Sequence, residues 1–135
     1  MVICGRGPLR SALEADAGEH VTFRGYVSEE PKVSLIREAR ALINPSRIES
    51  FSTTTVEALL CGTPVIGRAA GHTPWLINDG ANGRLFGSTT QLEHLLQTFD
   101  EGQLELSRSQ ILADALDKYT PKQFISSIQS ALVDE

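Results

Sequence analysis

Short apolar runs alternate with helical patterns up to residue 88, and this alternation limits the possible folds more than any other feature of the chain. Met1-Val2-Ile3-Cys4 stops at Gly5-Arg6-Gly7-Pro8, and His20 to Phe23 is closed by Gly25. Ala41-Leu42-Ile43 ends at Asn44-Pro45, and Pro64-Val65-Ile66 and Arg84-Leu85-Phe86 follow. Runs this short, bounded by Gly and Pro, read as buried strands.

The stretches between them read as helices. Pro8 suits a first helical position, Leu9, Ala12 and Leu13 are expected to face inward, and Gly18 ends the segment. Ser28-Glu29-Glu30-Pro31 combines a capping residue, early acids and an early proline, and Val33, Leu35, Ile36 and Ala39 give that helix its apolar side. Ser52 to Leu60 is a helix closed by Gly62, and a short helix is expected at Thr73 to Ile77. Beyond residue 88 the pattern is helical throughout. Its stripes are Leu92, Leu95, Leu96 and Phe99; then Leu104, Ile111, Leu112 and Leu116; then Phe124, Ile125, Ile128 and Leu132.

Strands joined by helices must pair in parallel, because each crossover returns the chain to the same edge. The expected fold is therefore α/β, a doubly wound parallel sheet with helices on both faces and a helical C-terminal tail. At 135 residues the chain fits one domain with a proper core. It opens directly on a central-looking strand, which reads as a piece of something longer.

Several function classes fall away. The net charge of −5 leaves no electrostatic footprint for nucleic acid or anionic lipid, so any phosphate must be bound by local backbone donors. No apolar run approaches the roughly 20 residues of a transmembrane helix, and no signal peptide is visible. A cytoplasmic location is expected. Cys4 and Cys61 form no metal-ligand pattern; two buried, reduced thiols are expected, with a disulfide as the alternative. His20 and His94 have no partner in sequence and are expected at the surface.

Open parallel sheets bind ligands where strand ends lead into helix N-termini. Of the loops at such ends, residues 45–58 are the most informative: Pro45-Ser46-Arg47-Ile48-Glu49-Ser50-Phe51-Ser52-Thr53-Thr54-Thr55-Val56-Glu57-Ala58. Small hydroxyl residues open this helix, so its first N–H groups and positive end form a natural anion site. The alternative is that Ser52 merely caps the helix and the threonines are solvated. Val56, Leu59 and Leu60 are expected to share the stripe facing the sheet, with Glu57 off it, on the side of Thr53. Glu49 lies at the same mouth. Two carboxylates beside a phosphate site would repel the phosphates unless they accept hydrogen bonds from ligand hydroxyls, which a nucleotide sugar has.

Ser46-x-x-Glu49-x-Phe51, Glu57-Ala58-Leu59 and Cys61-Gly62-Thr63-Pro64-Val65-Ile66 together resemble the signature of the group 1, family 4 glycosyltransferases of the GT-B fold. Their hallmark is two glutamates separated by seven residues, matched by Glu49 and Glu57. Gly5-Arg6-Gly7-Pro8-Leu9 resembles the family's glycine-rich turn. Val21 to Val27 resembles the next strand and base-binding loop, and Asn78 to Phe86 the stretch closing the site.

The resemblance implies a Rossmann-like donor-binding domain over residues 1–135, lacking its first strand and the N-terminal acceptor-binding domain. It implies transfer of a hexose from a nucleotide-diphospho-sugar with retention, without metal or other cofactor. Glu49 would bond hydroxyls of the transferred sugar, and Glu57 the ribose hydroxyls. N–H groups at Thr53 and Thr54 would hold the diphosphate, with Ser46, Ser50, Phe51 and Ser52 beside them. Gly5 and Gly7 would form the turn, and Gly25, Tyr26 and Val27 would meet the base. The implied partners are a nucleotide sugar and an acceptor-binding domain or subunit, without which the chain is expected to be inactive. Arg6 and Arg47 either reach phosphate or are solvated loop residues.

The chain departs from the family's Gly-Gly-x-x-Glu at Gly71-His72-Thr73-Pro74-Trp75, where His72 replaces a glycine and Trp75 the acid. Trp75 is then either a packed aromatic or a platform for sugar. Two rival functions remain: a catalytically silent nucleotide-sugar-binding module or subunit of a split enzyme, and an epimerase or phosphorylase on the same two-domain fold. The glutamate pair favours the transferase over those other enzymes.

Overall fold

All five apolar runs form strands, and all pairing is parallel, the first two strands in one sheet and the other three in another. The computed structural model describes residues 1–102 and 106–120, apart from the side chain of Asp100. Leu104, Phe124, Ile125, Ile128 and Leu132 of the expected helical stripes therefore lie outside the described residues. The chain divides into two compact units, Met1–Leu35 and Ile36–Glu135. The architecture is α/β, with parallel strands, flanking helices and a helical C-terminal segment.

In the first unit, β1 (Val2–Cys4) and β2 (Thr22–Gly25) flank α1 (Arg10–Asp16). Ile3 stands opposite Phe23, and the register slips so that Cys4 meets Gly25. Burial here is shallower than the apolar runs suggest. Val2 and Cys4 are exposed, and α1 has no buried residue, with Leu9 at 68% and Leu13 at 51% exposure. Spacing reveals an amphipathic face but not whether anything packs on it; here α1 is held by Arg10, which pairs with Glu14 at 2.8 Å and donates to the Phe23 carbonyl. Pro8 precedes the helix rather than opening it. The expectation of two buried thiols also fails, since Cys4 is exposed and Cys61 half-buried; both are free, so there is no disulfide.

The helix α2 (Glu29–Glu38) starts where its acids and proline predict. The second unit then continues through β3 (Leu42–Asn44), α3 (Thr53–Leu60), β4 (Val65–Arg68), α4 (Thr73–Leu76), β5 (Gly83–Phe86), α5 (Thr89–Asp100) and α6 (Arg108–Tyr119). Its strands lie in the order β3-β4-β5, with Leu42 opposite Val65 and Val65 opposite Gly83. Both Val65 and Ile66 are buried although they point to opposite faces, which requires cover on both sides of the sheet.

Val65 packs with Ile36, Ala58, Leu59, Ile77, Ile111 and Ala115, so that α3 and α6 cover one face. On α6 the buried pair is Ile111 and Ala115, one turn apart, while Leu116 faces solvent instead of extending the expected stripe. Arg108 ties α6 down by donating to the Ala39 and Arg37 carbonyls and to Thr63 Oγ1, which itself donates to the Ile36 carbonyl. Gly62, the expected helix stop, has φ 69°; a Cβ there would also lie 2.6 Å from the Arg108 carbonyl oxygen, so Gly both ends α3 and admits α6.

Candidate functional site

At the carboxyl end of β3, Asn44 organises the loop that follows. Its Oδ1 accepts from the Ser46 N–H at 3.1 Å, and its Nδ2 donates to Ser52 Oγ at 2.9 Å and Thr55 Oγ1 at 3.2 Å. One buried amide thus joins both ends of the 45–52 loop and the first turn of α3. No sequence motif singled out Asn44. Its place at a strand end before a hydroxyl-rich helix was the available signal.

Ser52 caps α3, its Oγ accepting from the Thr55 N–H. The Thr53 N–H turns back to the Phe51 carbonyl at 3.1 Å. Among the first three N–H groups of the helix, that of Thr54 alone has no partner among the described residues. Ser52 thus caps the helix, as the alternative reading held, and the Thr54 N–H stays without a partner among the described residues at the positive end of the helix.

The inward side of α3 is rotated from the expected stripe. Thr55, Ala58 and Leu59 are buried, whereas Val56 and Leu60 are only half-buried. Thr55 can lie inside because its hydroxyl is bonded to Asn44. Glu57 sits half-buried at the edge of this face, one turn beyond exposed Thr53.

Glu49 is brought to the same mouth by its main chain. Its carbonyl accepts from the His72 N–H at 2.9 Å, and the loop lies tight against Gly71. A Cβ on Gly71 would come within 2.9 Å of the Glu49 nitrogen, and the glycine has φ 56°, so only glycine suits the contact. The half-buried Glu49 carboxylate has no hydrogen bond or ion pair among the described residues. Ser50 and Phe51 are exposed beside it, and Ser46 is half-buried.

Arg68, which sequence reasoning passed over, closes β4. Its guanidinium donates to the carbonyls of Pro45 and Gly87 and lies 5.2 Å from the Phe86 ring, linking the ends of all three strands. Arg47 and Ile48 are exposed at the loop tip. Trp75 is 82% exposed, so the packed-aromatic alternative is wrong; the short α4 buries Thr73 and Leu76 instead.

The other expected site residues belong to the first unit, where they assemble among themselves. The Gly5 N–H donates to the Gly25 carbonyl at 2.6 Å, and the Arg6 guanidinium lies 5.6 Å over the ring of exposed Tyr26. Gly7 is exposed, Val27 half-buried and Gly25 buried. His20 and His94 are exposed, as expected. No trio of His, Cys, Asp or Glu suited to a metal occurs among the described residues, and none of their helices is long and apolar enough to cross a membrane.

The carboxyl end of β3 thus leads into the N-terminus of α3, with Glu49 in the loop before the helix and Glu57 on its second turn. Residues 1–100 match the family model for group 1 glycosyl transferases, and the chain belongs to that family. The D-inositol 3-phosphate glycosyltransferase of Mycolicibacterium smegmatis is 40% identical over 77 residues, covering 57% of this chain and 18% of that protein. The fold is similar to that of a lipopolysaccharide outer core galactosyltransferase in its apo form, with TM-score 0.85 and 19% identity, over 98% of this chain and 40% of the other. It is also similar to the Anabaena protein HepE in complex with UDP-glucose, with TM-score 0.78 and 23% identity, over 99% and 40% of the two chains. The chain thus spans well under half the length of the proteins it matches.

Proposed function

We propose that residues 1–135 form the donor-binding domain of a retaining hexosyltransferase that works with a separate acceptor-binding domain. The observation that carries this reading is the 45–57 segment. It carries a Glu49 carboxylate and a Thr54 N–H that have no partner among the described residues, and half-buried Glu57 one turn into the helix that follows β3. Membership of the glycosyl transferase family supports it.

In this reading the donor is a nucleotide-diphospho-sugar. A uridine nucleotide is the first to test, since a protein of similar fold has been seen with UDP-glucose. The Thr54 N–H meets the diphosphate, with that of Thr53 shared between the ligand and the Phe51 carbonyl. Glu57 accepts from the ribose hydroxyls and Glu49 from those of the hexose.

The anomeric C–O bond to the diphosphate breaks, the nucleoside diphosphate departs and takes up the acceptor hydroxyl's proton, and its developing charge is eased by dipoles that are already oriented and need no metal or other cofactor. The new glycosidic bond forms with the anomeric configuration retained. The location that suits such an enzyme is the cytoplasm, peripheral to the membrane where the acceptor is a lipid.

Isothermal calorimetry with UDP and UDP-glucose, followed by GDP-mannose and ADP-glucose, tests the reading. Saturable one-to-one binding of one nucleotide and its sugar ester is expected. If none binds, the donor-domain reading fails.

A further inference from the structure

The turn from β4 into α4 presents two rings, His72 and Trp75, that the proposed donor contacts leave out. Gly71 and Pro74 set the start of α4, which buries Thr73 and Leu76. His72 and Trp75, three residues apart, are thereby left together on the outer side. Their rings stack at 6.5 Å between centroids and 18° between planes. Phe51, from the Glu49 loop, meets His72 at 5.7 Å and 45°. Phe51 is half-exposed and Trp75 almost wholly so. Aromatic side chains ordinarily dominate cores because of the area they bury, yet these rings stand in water.

We propose that Phe51, His72 and Trp75 form a stacking platform for a pyranose ring whose hydroxyls are accepted by Glu49. It rests on the donor-site reading and supplies that site's sugar-recognition surface.

A pyranose carries an apolar face of C–H groups and a rim of hydroxyl donors. The first suits the electron-rich faces of stacked rings, and the second needs acceptors beside them. Both are present within one joined piece of backbone, because the His72 N–H is bonded to the Glu49 carbonyl and the Glu49 carboxylate is unengaged among the described residues. A purely apolar partner would cover that carboxylate without pairing it, which is costly. A nucleobase could also stack on these rings, and the parent nucleotides distinguish that occupant from the sugar.

Trp75 is the chain's single tryptophan, so its emission reports directly on the platform. The 135-residue chain is titrated with UDP, GDP and ADP, and with UDP-glucose, GDP-mannose and ADP-glucose. Fluorescence and calorimetry are followed together. The nucleotide sugar that binds is expected to alter Trp75 emission, while its parent nucleotide at saturation leaves it unchanged. Trp75→Ala, which removes a side chain with little buried area, should weaken the nucleotide sugar about five-fold, the worth of one ring contact. Affinity for the parent nucleotide should stay the same, and Trp75→Phe should restore most of the lost affinity. The platform is overturned, with the donor reading intact, if the nucleotide sugar binds without changing the emission. It is also overturned if Trp75→Ala weakens neither ligand or weakens both equally. If none of the six ligands binds, both proposals fall together.

Discussion

Glu49 and Glu57 stand in different surroundings, and the difference separates their expected phenotypes. Glu49 is positioned through its main chain, by the His72 N–H, and its carboxylate is unengaged among the described residues. Glu57 is half-buried on α3, a turn beyond Thr53. If Glu57 holds the ribose, Glu57→Ala should cost roughly 1.5–3 kcal/mol of affinity for a nucleoside diphosphate and for its sugar ester alike, the worth of a charged hydrogen bond. Glu49→Ala should leave the nucleoside diphosphate untouched and weaken only the nucleotide sugar. Chemical-shift titration of both variants with both ligands checks this; equal weakening by Glu49→Ala would return that residue to a role in shaping the loop. The glutamate pair was singled out by its resemblance to the family's seven-residue spacing, which lies wholly in the local sequence. The Asn44 amide was not legible, because its importance comes from three partners that only the folded loop brings together. Trp75 was left open between packing and stacking for a similar reason: spacing within a four-residue helix cannot say which side finds cover.

Among the elements, α3 carries most of the site, and its start depends on Ser52. That hydroxyl accepts from the Thr55 N–H and from Asn44 Nδ2 at once. Ser52→Ala should therefore destabilise the fold by about 1–2 kcal/mol, at the upper part of the range for a lost cap. It should also loosen the loop that carries Glu49. A falling denaturation midpoint at constant m-value, with weaker nucleotide-sugar binding, is the expected result; unchanged stability would show that the cap contributes nothing. Capping residues, glycine stops and apolar runs are local signals, and they placed α2, α3 and all five strands. The inward faces were harder to read. Leu9 just before α1, Leu13 within it and Leu116 of α6 have core-like spacing yet face solvent, because burial depends on a partner surface that a local pattern does not contain.

Tyr119, at the end of α6, adds a pH dependence. Burial pushes its phenol above the ordinary value of 10.0, since the phenolate would lose hydration in the fold. Above pH 10 the unfolded chain gives up this proton before the native one does. The native state then binds more protons, and stability falls as pH rises. The contribution is complete below pH 10 and is lost as pH climbs through the raised native value. Urea unfolding between pH 9 and pH 11 should accordingly show a shallower loss of stability for Tyr119→Phe than for the wild type. Parallel slopes would mean that Tyr119 titrates alike in both states.

At the scale of the whole molecule, the net charge of −5 and the site's neutral donors make a joint prediction about salt. A protein that holds phosphates with a basic patch loses affinity steeply as salt rises, through screening and release of counterions. Here the proposed diphosphate contacts are main-chain N–H groups on a helix dipole, acting within the first turn, where added salt has little reach. The remaining acidic chain repels the anionic ligand over longer distances, and salt screens that repulsion. The two tendencies oppose each other. Nucleotide-sugar affinity measured from about 20 mM to about 300 mM sodium chloride, a span in which the Debye length shrinks severalfold, should therefore stay flat or rise slightly. A loss of ten-fold or more (about 1.4 kcal/mol) would show that guanidinium groups carry the diphosphate. Arg47, exposed at the tip of the Glu49 loop, would be the first of these to replace. A steep slope that Arg47→Ala removed would transfer the phosphate contact from the start of α3 to that side chain.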